Sequence, residues 1–244
     1  MIKDILIDIV AHTTSLGFPF AKIQGTKKET VIESIADQEK LVVKATTHNP
    51  IKELEGIFGL PNLSTLNHIL KNPEYKENPH IEIVYLDKNG KSTPNSIFFE
   101  NEDKDFNNSY KLMTTEVVNA RLGSFQVNLP TFTIEFTPSI NSVQRLKLQA
   151  QVHSDEDMFK SKLENQNLVV SFGGISSTHV GSFVFQSGIE GKLKNTFIWP
   201  LTEVINILSL DGDMTMKISD EGLMMITVDS GLATYDYIIP AITK

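Results

Sequence analysis

From Asp213 to Ile242 apolar residues recur at every second position, in three runs broken by turn-forming residues. Met214, Met216 and Ile218 alternate with Asp213, Thr215 and Lys217. Met224, Ile226 and Val228 keep the same period, and Ala233, Tyr235, Tyr237 and Ile239 keep it again. A period of two belongs to a strand with one face in a core and one in water. Ser219-Asp-Glu-Gly222 and Asp229-Ser-Gly231 join the runs, with Gly available where a tight turn needs a positive φ. Connections this short reverse the chain, so the ending is a three-stranded antiparallel meander.

Upstream the pattern changes. Ile2, Ile5, Leu6, Ile9, Val10 and Leu16 fall on one helical face, with Gly17 as the stop. Strands are expected at 19–24, 30–35 and 40–46. Asn49-Pro50 is expected to open a helical region that Pro61 interrupts, its second part marked by Leu63, Leu66 and Leu70. Strands follow at 81–86, 96–100 and 110–114, with Asp87-Lys-Asn-Gly90 as a hairpin turn. After a connector over 116–130 the order recurs. A strand over 132–136 leads to a helix capped by Thr137-Pro138 and running to Val152. Strands at 167–172, 178–187 and 194–199 precede a helix opened by Pro200, then the meander. Each half therefore reads helix, three strands, helix, three strands, a repeat of element order rather than of sequence.

Length admits one large β-rich domain or two ordinary ones, and 40% hydrophobic residues among 244 are enough for real cores. No apolar run is long enough to span a bilayer. The first residues lack the basic flank and small-residue cleavage site of a signal peptide, so a cytoplasmic protein is expected. With no Cys there is no thiolate metal site or cysteine nucleophile. A net charge of −8 argues against coating nucleic acid over the whole outer surface, though not against a local basic face.

Motifs for chemistry are missing. The six His residues are scattered, and none stands at metal-ligand spacing from another. Gly173-Gly174 follows a strand but lacks the Lys and Ser/Thr of a phosphate loop. Asp211-Gly-Asp213 has no closing Glu at calcium-loop distance, and His153–Asp157 reads as a solvated loop. No cofactor and no metal are expected, and the chain does not read as an enzyme.

A duplicated helix–strand order that ends in a meander and carries no catalytic motif resembles a DNA sliding clamp. The segment from Phe197 to Ile242 is similar to the closing segment of proliferating cell nuclear antigen and its phage relatives: a short helix, a strand, a turn, an apolar strand, then Tyr235-x-Tyr237 before Ile239-Pro240-Ala241-Ile242. Leu63–Lys71 followed by a charged hairpin is similar to the clamps of T-even-type bacteriophages. The resemblance implies an α+β, two-domain clamp fold, each domain with outer antiparallel sheets and two inner helices, assembled as a homotrimeric ring around double-stranded DNA. It implies domains over 1–115 and 131–244 joined by the connector 116–130. It also implies a processivity factor that tethers a DNA polymerase, is loaded by an ATP-dependent clamp loader and does not touch a membrane. By the same analogy, strands at Tyr110–Glu116 and Thr178–Ser187 would pair between subunits.

A ring-lining helix needs an apolar face for its sheet and a polar or cationic one for phosphate. Between 138 and 152 there is no acid. Ile140, Val143, Leu146 and Ala150 are expected inward, with Asn141, Arg145 and Gln149 outward and Gln144, Lys147 and Gln151 flanking. His68 and Lys71 lie away from the Leu stripe of their helix, alongside Ser64 and Thr65. Lys3 and His12 are expected outward on the first helix, although Asp4 and Asp8 share that face, and Glu203 departs from the pattern on the last. The DNA-facing set is thus Lys3, His12, His68, Lys71, Asn141, Gln144, Arg145, Lys147 and Gln149. Clamps also hold partner peptides in an apolar groove. The candidates here are Val117, Val118, Leu122 and Phe125 of the connector with Ile239, Pro240 and Ile242 of the ending. The competing reading is a non-enzymatic β-rich viral structural subunit of a tail or baseplate, against which four amphipathic helices at repeating positions count.

Overall fold

The computed structural model describes residues 2–36, 40–88, 90–122, 128–173 and 179–242. Phe125, Gly174 and Thr178, all singled out above, lie outside these residues, as does Asn89 of the first hairpin turn. The chain divides into two compact units, 1–126 with Ser230–Tyr235, and 127–229 with 236–244.

In the first unit, helix α1 (Ile2–Thr13) buries Ile5, Leu6, Ile9 and Val10 on the expected face. It ends where Gly17 adopts φ 73° and donates its N–H back to the Thr14 carbonyl, a left-handed stop that a side chain would strain. Strands β1 (Phe20–Gly25), β2 (Thr30–Ile35) and β3 (Val42–Thr47) follow as expected. The predicted helical stretch after Pro50 is different. Apart from a single helical turn over Lys52–Leu54, it is strand β4 (Gly56–Pro61), paired antiparallel along the whole of β1. Phe58 and Leu60 enter the core, and Pro61, which cannot donate, sits at the end of an outer strand of the order β4-β1-β2-β3. Gly25 is needed there, because a Cβ would lie 1.9 Å from the Leu54 carbonyl oxygen.

Helix α2 (Leu63–Leu70) packs beside α1 and buries Leu63, Leu66 and Leu70. A second sheet, β5 (His80–Lys88), β6 (Lys91–Glu100) and β7 (Asn107–Lys111), lies in that order, leaving β7 at an edge. At the start of the expected connector, Thr115–Leu122 is a helix, α3. Its Val118 and Leu122 pack on Phe20 with Ile35 and Met113, and the Arg121 guanidinium stands 5.8 Å over the Phe20 ring.

The second unit opens with β8 (Phe132–Phe136) and helix α4 (Ile140–Val152). The cap is Ser139 rather than Thr137: its side chain accepts from the Ser142 N–H at 3.1 Å. Next comes a strand absent from the sequence expectations, β9 (Met158–Glu164), in a hairpin with β10 (Asn167–Phe172). Asn165 and Gln166 both take positive φ (48° and 64°), the twist a two-residue hairpin needs. With β11 (Gly181–Gln186) and β12 (Phe197–Pro200) they make a sheet ordered β11-β10-β9-β12. The Trp199 indole N–H donates to Ser161 Oγ at 2.7 Å in its buried face. Helix α5 (Leu201–Ile207) starts after Pro200, as expected, and buries Leu201, Val204 and Ile207.

The meander is present as β13 (Asp213–Ser219), β14 (Leu223–Asp229) and β15 (Ala233–Pro240). Within the second unit β13 pairs with β14 from Asp213↔Asp229 to Ile218↔Met224, and with β8 on its other side. Met216, Ile218, Met224, Ile226 and Val228 are buried, each apolar side chain contributing about 1.5–3 kcal/mol. Among the described residues both units therefore have four strands, not three, before their second helix if β8 is set aside.

Candidate nucleic-acid interface

The outward faces of α1, α2, α4 and α5 decide whether phosphate has anything to meet. On α4, Ser142 and Leu146 turn into the unit, and Asn141, Gln144, Arg145 and Gln151 are exposed. Lys147 is half-buried at the flank. Gln149, expected outward, is also half-buried. It approaches β11 at Gly181, where a Cβ would lie 2.6 Å from Gln149 Oε1 and 2.5 Å from His153 Nε2. Close approach of helix to strand at this glycine turns Gln149 aside, and His153 stacks on Phe172 at 5.2 Å. Ile140, expected inward, is 78% exposed: as the first helical residue it has no preceding turn to lie on. Leu148 and Val152 are exposed with it, so the outward face of α4 mixes aliphatic groups with amides and one guanidinium. No carboxylate interrupts it.

On α2, Ser64, Thr65 and His68 are exposed, and Lys71 just beyond its end is too, as expected. The two α1 residues are placed otherwise. Lys3 Nζ donates to the carbonyls of Tyr75 and Lys76 at 2.5 and 3.0 Å, so its charge caps the chain after α2. His12 is 4% exposed and stacks on Tyr235 at 4.1 Å with the rings 9° from parallel. What remains outward on α1 is Asp4, Ile7 and Ala11, a face with no cation. A cleft of about 330 Å³ runs between α1 and α2, lined by Ile7, Val10, Ala11, Leu70, Lys71 and neighbouring polar side chains. On α5, Thr202 is exposed and Glu203 half-buried.

Candidate peptide-groove residues divide as well. Val118 and Leu122 belong to the core under α3, and Ile239 is fully buried, so these three act in packing. Val117 (46% exposed), Pro240 and Ile242 are accessible. Ile242 is held by its N–H donating to the Ile198 carbonyl at 2.8 Å.

β7 and β11 each stand at one edge of their own sheets. β7 covers Asn107–Lys111 and β11 covers Gly181–Gln186. Beside or on β11, Val180 and Val184 expose aliphatic surface. Tyr110 on β7 points inward, its hydroxyl donating to the Pro61 carbonyl, and burial pushes its phenol well above the usual tyrosine range. Among the described residues no group of three His, Asp or Glu side chains could hold a metal ion, and no helix is long and apolar enough to cross a membrane.

No family model matches the sequence, and no curated protein matches it by sequence. Solved structures do match by fold. Proliferating cell nuclear antigen (PCNA) of A. fulgidus, solved with the C-terminal region of FEN-1 bound, is similar at a TM-score of 0.70 and 10% identity, over 99% of this chain and 96% of that one. PCNA from Thermococcus kodakaraensis gives 0.66 and 12%, over 98% and 97%. Its counterpart from Entamoeba histolytica gives 0.69 and 11%, over 98% and 96%. Sheets, helices and their order thus agree over nearly the full length of each chain while the side chains do not, and the protein has the two-domain clamp fold of PCNA.

Proposed function

We propose that the chain is a DNA sliding clamp, a non-enzymatic processivity factor that encircles duplex DNA as a homotrimer. The observation that carries this reading is the full-length fold likeness to three PCNA structures, none of which leaves a substantial part of either chain unmatched. The faces of α2 and α4 support it: Lys71, His68, Asn141, Gln144 and Arg145 are exposed, with Lys147 beside them, and no acid lies on either helix. A ring held by topology needs few phosphate contacts, and each one adds salt sensitivity. No set of paired Arg side chains for base edges stands on these helices, in keeping with sequence-independent binding.

In this proposal the clamp domains are 1–115 and 131–244, the segment 116–130 joins them, and β7 of one subunit pairs with β11 of the next. Such pairing would cover these two edges, whose backbone groups have no partner strand within their own sheets. A DNA polymerase and an ATP-dependent clamp loader are the expected partners, taken through Val117, Pro240 and Ile242. The A. fulgidus protein, solved with a FEN-1 C-terminal segment, is a precedent for peptide partners on this fold. Likeness of Leu63–Lys71 and the charged hairpin after it to T-even-type phage clamps favours a phage-encoded protein acting in host cytoplasm.

Negative-stain electron microscopy of the lightly cross-linked protein is the test. Rings with a hole wide enough for duplex DNA, and retention on circular but not linear DNA, are the expected result. Compact monomers or hole-free filaments would overturn the reading in favour of a structural subunit.

A further inference from the structure

The cleft of about 330 Å³ between α1 and α2 belongs wholly to the first unit. Its walls are largely apolar: Ile7, Val10 and Ala11 come from α1, and Leu70 from α2. Val10 and Leu70 are buried while Ile7 and Ala11 are exposed, so the cleft reaches from the surface to the edge of the core. Lys71, exposed just past the end of α2, is its one charged residue, and among the described residues no carboxylate lines it. The Asp8 carboxylate of α1 is engaged elsewhere, by Tyr235 Oη, which donates to it at 2.7 Å. Thr14 also lines the cleft, and its Oγ1 is buried with no hydrogen-bond partner among the described residues. A polar atom left so is costly, and native folds rarely keep one.

We propose that this cleft binds a small anionic amphiphile, its apolar body between α1 and α2 and its carboxylate head at Lys71. The volume stands at the lower end of ligand pockets, which combine apolar walls with a few polar groups that fix orientation. Covering Ile7, Val10, Ala11 and Leu70 removes apolar surface from water, which supplies affinity. The lone ammonium selects the sign of the head, since a bond between two ionised groups is stronger than a neutral one. The spare Thr14 hydroxyl is a further donor for an acceptor seated against that wall. An anion without a tail leaves the apolar walls wet, and a tail without an anion leaves Lys71 unanswered. The site lies within one unit, so it stands whether or not the chain closes into a ring.

Isothermal titration calorimetry of the full chain with octanoate, kept below its micellar concentration, tests this. One octanoate per chain is expected. Octanol, with the same tail and no charge, and inorganic phosphate, with charge and no tail, should each bind about tenfold more weakly or worse. Ala11→Phe fills the cleft from an exposed position and should abolish octanoate binding with the melting temperature unchanged. Lys71→Met keeps the aliphatic stem and should weaken octanoate about tenfold while leaving octanol as it was. No binding of octanoate, or binding that neither substitution alters, would overturn the site. Equal affinity for octanoate and octanol would overturn the role of Lys71.

Discussion

Lys3 Nζ donates to the Tyr75 carbonyl, and that bond decides what this lysine is for. Its cation is held against the carbonyls that follow α2. Lys3→Met is therefore expected to leave retention on circular DNA unchanged while lowering stability by about 1–2 kcal/mol, as loss of a charge-assisted bond should. Parallel denaturant melts and DNA-retention assays separate the two effects.

Arg145 should behave in the opposite way. It is exposed on an acid-free face, so Arg145→Gln is expected to leave the melting midpoint unchanged and weaken DNA association. For every phosphate no longer neutralised, the slope of log K against log salt should become shallower by about 0.9. A salt series with an unaltered slope would remove Arg145 from the interface.

At Gly181, β11 comes close to side chains at the end of α4. A methyl group there meets His153 Nε2 at 2.5 Å and Gln149 Oε1 at 2.6 Å. Gly181→Ala is expected to cost about 1–3 kcal/mol in chemical denaturation, the usual range for overpacking. Adding Gln149→Ala, which gives the methyl room on one side, should recover part of the loss.

Val180 and Val184 are exposed in the isolated chain, so charging them should not harm its fold. If β11 pairs with a neighbouring subunit, Val180→Glu with Val184→Glu will yield a folded monomer in sedimentation equilibrium where the parent chain is trimeric. A trimer that survives both substitutions would place ring closure elsewhere.

Tyr110 gives an alkaline signature. Burial raises its pKa, so the folded state holds the proton more tightly than the unfolded chain does. The stabilisation is whole below the ordinary tyrosine value of about 10 and is lost as pH rises from there towards the folded value. Spectrophotometric titration of the parent chain and of Tyr110→Phe should differ by one phenol that ionises only at strongly alkaline pH or on unfolding.

Elements whose burial is local are readable in the chain. The alternation of Met214, Met216 and Ile218 and the stripe of Ile5, Leu6, Ile9 and Val10 each contain their own period, and both stand in the structure as expected. β4 is hard to read because Gly56, Gly59 and Pro61 hide a strand whose reason for existing is its partner β1. β9 escapes notice because Lys160 and Lys162 break its apolar run, leaving the Asn165-Gln166 turn as the better signal. Site residues fail for a related reason. A helical wheel can say that Lys3 and His12 leave the apolar stripe, but not that Tyr75 and Tyr235 wait beside them.

The placement of Ser230–Tyr235 has a consequence during synthesis. Asp8 leaves the ribosome 227 positions ahead of its partner Tyr235. The first unit thus cannot finish folding on its own schedule, however early its strands pair. Its last piece arrives only after the second unit's chain up to Asp229 has been made, so nascent chains that stall or terminate before then should be held open and prone to association.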